Sequence, residues 1–399
     1  MNAAFQKLAV TGIILCCLTG CWDRVEINEL AVAGLVGSEI DPQTHEQIVY
    51  YQIVNPGAYS SESSGRSKAP VYTYKVQGKT KGELAQLSSD TLPRKLFTDH
   101  YQSHIVTEQY AREGMRTFLN YYERQFNRRS SLYLFVTDSP LSDVMMTFTP
   151  LEQLPGRLLR SLVSNTNKAT GRISLKSRVK DLVENMESST LTVLPIVSLN
   201  GEKPILSANR FDDINGNQSN LVLTGAAVFK QDRMIGKVSL WENGYYNLLK
   251  GEAGNFFESI VLDDRVVDLY AHKIKTKQQL SLKNGTPVWN VEITAHLALR
   301  NDEQTEKLTW DNLAKITDQF DLKIIKTSEK LYAQAIDKKW DLFGLEDEIK
   351  YKRGSAWKKL QQQENAWTGT KLHVTIKSKV EDIGEIVDPY KGGAGNGKE

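Results

Sequence analysis

"NGTPVWNVEITAHLALR", residues 284–300, decides the fold of the second half of this chain. Asn284-Gly285 is a favoured two-residue hairpin turn, since both residues tolerate the positive φ of a type I′ turn. Beyond it Trp289, Val291, Ile293, Ala295, Leu297 and Leu299 fall on alternate positions, the mark of a strand with one apolar face. The last strand, "KLHVTIKSKV" at 371–380, alternates likewise: Leu372, Val374, Ile376, Ser378 and Val380 on a buried face, Lys371, His373, Thr375, Lys377 and Lys379 on a wet one. Between the two a long helical region starts near Thr309 and carries Leu313, Ile316, Phe320, Ile324 and Leu331 at helical spacing. Strands, then helix, then a returning strand predict an α+β fold.

Working outward, "GAAVFKQDRMIGKVS" (225–239) reads as a further hairpin and "LWENGYYNLLKG" (240–251) as a short amphipathic helix. In the first half short strands and helices alternate. Ala31–Ile40, Gln47–Val54, "VYTYKV" (71–76), "HIVT" (104–107), "SLYLFVT" (131–137) and "LTVLPIV" (191–197) have strand composition. Thr80 and Glu83 form a T-x-x-E capping box that opens a helix. The next helix places Ala111, Met115, Phe118 and Tyr122 on one stripe, and Leu175, Val179, Leu182, Val183 and Met186 keep a helical period within 139–190, where Pro155 suits a first helical turn.

The first twenty residues carry one charge, Lys7, and an eleven-residue apolar core from Leu8 to Leu18. A membrane-spanning helix needs roughly 20 apolar residues, so this is the layout of a cleaved secretory signal. Its end, Leu18-Thr19-Gly20-Cys21, resembles the lipobox of bacterial lipoproteins, in which the cysteine thiol receives a diacylglyceryl group and becomes the first residue. Cys21 is therefore the expected lipid attachment site. Cys16 and Cys17 leave with the leader, so the mature chain forms no internal disulfide and its stability comes from packing.

The expected organisation is a signal peptide at 1–20, an N-terminal α+β domain at 21–200 with 139–190 as a candidate helical subdomain, a linker at 201–219 rich in Asn, Asp, Gly and Ser, a C-terminal α+β domain at 220–386 and a flexible tail at 387–399. The 399 residues carry 50 Lys+Arg against 48 Asp+Glu, a balance that gives no basis for nucleic-acid binding and predicts at most patches of attraction to an anionic membrane.

A search for chemistry finds no convergent set. "GGAGNGKE" at 392–399 matches the letters of a phosphate-binding loop, but Glu399 stands where a Ser or Thr must hold magnesium and no helix follows. His100 and His104 are four apart without the glutamate of a zinc-protease helix, and the reading is exposed or half-buried polar residues. His296 and His373 fall on wet strand faces. Aligning Gly216 of "DDINGN" with the glycine of a calcium loop puts Phe211 and Val222 at ligand positions, which rules the loop out. There is no G-x-S-x-G elbow, and Asp263-Asp264 makes no acid–base pair. Arg112, Arg116, Arg124, Arg128 and Arg129 are interleaved with Glu113 and Glu123, a solvated face, and Trp357 in "AWKKL" (356–360) reads as core. No enzyme, metal or cofactor is implied.

Several stretches together resemble the C-subunit lipoproteins of bacterial spore germinant receptors, the Ger(x)C family: the lipobox running into "CWDRVEINELAVAGLVGSEID" (21–41), then "VLPIV", "LTGAAVFKQDRMIGKVS" with "LWENGYYNLLKG", "DLFGL" and "AWKKL", in the family's order and spacing. The resemblance covers residues 1 to about 386. It implies a lipid-anchored subunit on the outer face of the spore inner membrane, with a multi-domain, non-catalytic α+β ectodomain, acting with a membrane-embedded A subunit and a transporter-like B subunit. It carries one functional residue over, Cys21; Trp22, Asp23, Glu26 and Ile27 match the pattern without a role. The rival reading is an extracytoplasmic solute-binding lipoprotein of a transporter, whose two similar βα lobes the second half does not reproduce.

Overall fold

The structure is a computed structural model that describes residues 26–58, 69–124, 131–148, 152–204, 219–302 and 307–385. Its fold is α+β, built on two sheets. The first has nine strands: β1 (Leu30–Ile40), β2 (Gln47–Val54), β3 (Val71–Gly78), β4 (Lys95–Phe97), β5 (Ser103–Thr107), β6 (Tyr133–Thr137), β7 (Thr192–Gly201), β8 (Ser219–Lys230) and β9 (Arg233–Ser239). They run in the order β3-β2-β1-β5-β6-β7-β8-β9, with β4 beside the start of β1. The middle four, β1, β5, β6 and β7, are parallel, and antiparallel meanders extend both flanks.

Parallel neighbours need crossover connections, and these supply the helices. Lys81–Thr91, Glu108–Glu113 and Arg116–Glu123 cover the sheet face that carries Val36, Val106, Leu134 and Ile196. Leu141–Met146 and Pro155–Thr170 cover the opposite face, over Leu35, Ile105, Phe135 and Val197. Covered on both sides, β6 is buried at every position, which is why its sequence is an unbroken apolar run rather than an alternation. The segment 139–190 thus places helices on this sheet, the third being Val179–Glu184. Leu175, expected on that helix's stripe, precedes it and is exposed.

The stripe from Ala111 to Tyr122 is split as well. Gly114, at φ 115°, ends one helix before the next begins at Arg116. Ala111, Met115, Phe118 and Tyr122 nevertheless all reach the core.

The nine-stranded sheet continues across the 201–219 segment, of which 205–218 lie outside the described residues. The hairpin β8–β9 follows that segment in sequence and is hydrogen-bonded to β7, from Gly201↔Ser219 to Thr192↔Phe229.

The second sheet holds β10 (Phe256–Leu262), β11 (Arg265–Lys283), β12 (Thr286–Asp302) and β13 (Lys371–Asp382) in that order. The first three are antiparallel and β13 is parallel to β12. Asn284 and Gly285 take φ of 51° and 80° at the β11–β12 turn. The return to β13 passes through the helix Trp310–Asp337, opened by Thr309, whose hydroxyl accepts from the Asn312 amide at 3.2 Å. At 1.5 Å per residue it is about 42 Å long. Its Ile316, Phe320, Ile324, Leu331 and Ala335 share one core with Trp289, Val291, Ile293, Ala295 and Leu297 of β12. Among the described residues no helix is long and apolar enough to cross a membrane.

Candidate functional site

Cys21 lies outside the described residues, as do Arg128 and Arg129, all of "DDINGN" (212–217) and the 392–399 tail. Of the remaining candidates His100 is exposed and packs edge-on against Phe97, while His104 is buried. The expectation that His104 would be exposed or half-buried is corrected by its place on β5, a central strand with helices on both faces. Its Nε2 is 3.0 Å from Ser38 Oγ and its Nδ1 3.2 Å from the Tyr101 hydroxyl. The three line a cavity of about 320 Å³ with Lys95, Leu96 and Phe118. A serine and a histidine in contact suggest nucleophile and base, but the group behind the imidazole is a neutral phenol where a carboxylate would stabilise the imidazolium. Among the described residues no group of three His, Cys, Asp or Glu side chains could hold a metal ion. His373 is exposed, and His296 meets Glu381, its Nδ1 2.6 Å from Oε1.

A dense set of polar contacts forms the joint between the two sheets. On one side, the chain leaving the long helix runs through Trp340-Asp341-Leu342-Phe343-Gly344 into the helix Leu345–Tyr351. Asp341 is buried and accepts from the amides of Leu345 and Glu346, both at 2.9 Å, capping that helix. It also accepts from Ser189 Oγ at 3.0 Å, while the Leu191 amide donates to its backbone carbonyl at 2.9 Å. Burial pushes the Asp341 carboxyl above its ordinary range. Asp347 takes the Ser188 hydroxyl and the Ser189 amide, each at 2.8 Å. Phe343 packs into an aromatic cluster, 4.5 Å from Trp289, 5.9 Å from Tyr332 and 6.0 Å from Tyr246 between ring centroids. Gly344 sits at φ 71° with Thr190 so close that a Cβ would meet its hydroxyl.

On the other side, the helix Leu240–Lys250 is opened by a Ser239/Glu242 capping box and closed by Gly251 in the left-handed conformation. Its Asn243 and Asn247 amides donate to the carbonyls of Arg172 (2.7 Å) and Gly171 (2.9 Å) beyond the end of Pro155–Thr170. Its Tyr245 hydroxyl donates to Glu258 on β10 at 2.7 Å, and Lys323 of the long helix meets the same carboxylate at 2.9 Å. Glu252 accepts from Ser174 Oγ at 2.6 Å and faces Lys176 and Lys250 at 3.2 and 3.6 Å. Burial alone would raise its pKa; Lys250, Ser174 and Lys176 together outweigh that and hold it below the ordinary range.

The sequence model of the spore germination protein N-terminal domain matches residues 23–199, and that of the spore germination B3/GerAC-like C-terminal domain matches 224–384. The chain belongs to the GerAC-like family of spore germination proteins. Among its relatives in Bacillus subtilis (strain 168) is the putative spore germination protein YfkR, 28% identical over 240 residues, which are 59% of this chain and 58% of that one. Spore germination protein KC is 20% identical over 91% of both chains, and spore germination protein B3 is 22% identical over 96% of this chain and 98% of its own. The crystal structure of the GerBC protein has the same fold, with a TM-score of 0.55 at 17% identity, over 86% of this chain and 97% of that one.

The motifs that carry the likeness have structural work in this GerAC-like chain. "DLFGL" is the Asp341 cap, the Phe343 ring and the Gly344 close approach; "LWENGYYNLLKG" is the bridging helix; "VLPIV" is β7; Trp357 of "AWKKL" is buried. Sequence reading found these stretches as signatures and missed them as a joint, because the partners stand about 70 to 160 positions away. The available signal was a glycine directly beside an aromatic residue in otherwise regular segments.

Proposed function

We propose that this protein is the lipid-anchored C subunit of a spore nutrient germinant receptor, held by a diacylglyceryl group on Cys21 at the outer face of the spore inner membrane. It acts without catalysis, through contacts with the membrane-embedded A and B subunits, in the initiation of germination. The observation that carries this reading is family membership along both halves of the chain. The joint supports it: the polar residues of the motifs are directed at one another and at the backbone, so they hold the halves in register rather than face a substrate. Such a body suits transmission of contacts, whose energy concentrates in a few anchor residues on broad surfaces.

The test is metabolic labelling of sporulating cells with a fatty-acid analogue, with wild type and Cys21→Ala compared after fractionation. The variant is expected to be unlabelled, mislocalised or retained as precursor, and deficient in nutrient-triggered germination, because stable residence on a membrane takes two acyl chains. Equal labelling of both forms, or full germination by the unlipidated form, overturns the reading. Calorimetry with amino acids, sugars and nucleosides addresses the solute-binding alternative, which family membership does not favour. Micromolar affinity, abolished by filling the cavity beside His104, would revive it.

A further inference from the structure

One face of the four-stranded sheet packs on the long helix, and the opposite face carries a concentration of positive charge. Residues paired across a ladder share a face, so the exposed positions can be read in rows. Lys275 of β11 is opposite Thr294 of β12, which is opposite Lys377 of β13; His272, His296 and Lys379 form the adjoining row. Lys277 lies in the row on the other side, with Glu292 and Thr375, and Lys371 is further along β13. Lys283 ends β11 on the same face. These six lysines are all exposed, and none has a carboxylate within 4.0 Å among the described residues. Of the acids on this face, Asp268 accepts from the Ser259 hydroxyl, Glu381 is engaged by His296 and Lys273, and Asp382 lies opposite Ala298, all toward one end, while Glu292 stands alone among the lysines.

Two ordinary explanations fall short. Lysines on an edge strand discourage edge-to-edge pairing, which accounts for β13 but not for Lys275 and Lys277, which project from an interior strand. A merely solvated face in a chain with 50 basic and 48 acidic residues should balance the signs, whereas the rows from Lys275 and Lys377 to Lys283 carry five lysines (Lys275, Lys277, Lys283, Lys371 and Lys377) against Glu292.

We infer that the open face of the β10–β13 sheet is a docking surface for the anionic headgroups of the membrane to which the chain is tethered. The surface is extended, three paired strands long enough to meet a broad partner such as a bilayer. Its rows offer lysines and threonines but no exposed Phe, Tyr or Trp ring on which a base could stack, which disfavours single-stranded nucleic acid. The inference rests on Cys21 as the anchor: eight residues separate it from Leu30, the start of β1, and the nine steps between the two span at most about 32 Å. The ectodomain is therefore held within a short tether of the bilayer, where a basic patch adds a second, salt-sensitive attachment to the acyl chains.

The experiment uses the full chain, processed and lipidated by the producing cell, reconstituted in vesicles of phosphatidylcholine alone or with phosphatidylglycerol. Thr375→Cys supplies an exposed thiol on this face, midway between Lys371 and Lys379 of β13, for an environment-sensitive fluorophore. The probe is expected to be shielded from an aqueous quencher in phosphatidylglycerol vesicles only, and the shielding to vanish in high salt. Lys275→Gln, Lys277→Gln and Lys377→Gln together should lower the ratio of docked to undocked orientations on the order of a hundredfold, each lysine being worth roughly fivefold. Equal quenching in both vesicles overturns the inference. So does shielding that appears only when the other receptor subunits are present, which would assign the face to an acidic protein partner. Retention on phosphatidylcholine reads the anchor separately: a chain that leaves neutral vesicles yet is shielded on anionic ones refutes the Cys21 reading and keeps the basic face.

Discussion

Gly236 on β9 is one of the tightest points of the joint. The Trp340 ring lies over it, so a methyl group there would come well under 3.0 Å from Cζ2 and Cη2, against an ordinary carbon–carbon separation of about 3.5–4.0 Å. Gly236→Ala thus drives the indole back by on the order of 1 Å. The ring cannot yield freely: it is 9% exposed, and the next residue, Asp341, is held by four hydrogen bonds through Ser189, Leu191, Leu345 and Glu346. Overpacking of this kind costs about 1–3 kcal/mol, and pulling one of those hydrogen bonds out of line adds about 1 kcal/mol. A loss of about 2–3 kcal/mol is expected in urea unfolding, with faster amide exchange at Leu191.

The deciding measurement is a double-mutant cycle with Trp340→Phe, whose shorter ring lacks the benzo atoms that the methyl group would strike. In that background Gly236→Ala should cost less than about 0.5 kcal/mol, a coupling of about 2 kcal/mol between a strand of the first sheet and the segment that follows the long helix. Additive costs would show that the glycine serves β9 itself and that the indole does not lock the halves together.

How much of this was legible follows from the range of each signal. The β11–β12 hairpin was written in Asn284-Gly285 and the alternation from Trp289 to Leu299, because turn chemistry and strand period act between neighbours. The long helix was equally clear, since Ile316, Phe320 and Ile324 repeat on one face. Gly114 broke an otherwise continuous stripe because its φ of 115° is set by a packing turn against Asp232, whose carbonyl accepts from the Met115 amide at 2.9 Å; no local pattern announces that. His104 looked like a surface histidine because burial of its strand depends on helices drawn from three other segments. The basic face was hidden for the same reason. Lys371, Lys377 and Lys379 were read as the wet side of one strand, and only the pairing of β11, β12 and β13 gathers them with Lys275, Lys277 and Lys283.

The remaining perturbations probe the same elements. Asp341→Ala removes a helix cap and the acceptor of the Ser189 hydroxyl, so a loss of about 2 kcal/mol is expected in urea unfolding; less than 0.5 kcal/mol would mean that the cap is idle. Gly156→Ala puts a methyl group against the Gly34 carbonyl, backbone that cannot rotate aside, and should cost more than a flexible clash does, at least about 2 kcal/mol by thermal melt. Glu252 sets the acid limit of the joint. Its folded-state pKa is depressed, so the stability it contributes is complete above the unfolded carboxylate range and is lost as pH falls through the folded value. Asp341 has the opposite sign: its raised pKa means that the folded chain binds the extra proton just above the ordinary range, and stability falls as pH rises through that window. Glu252→Gln should therefore flatten the fall in stability on the acid side while leaving the Asp341 contribution in place, read as melting temperature against pH for both proteins. An unchanged acid limb in the variant would show that Lys176 and Lys250 are screened by solvent and that the Glu252 cluster does not hold the sheets together.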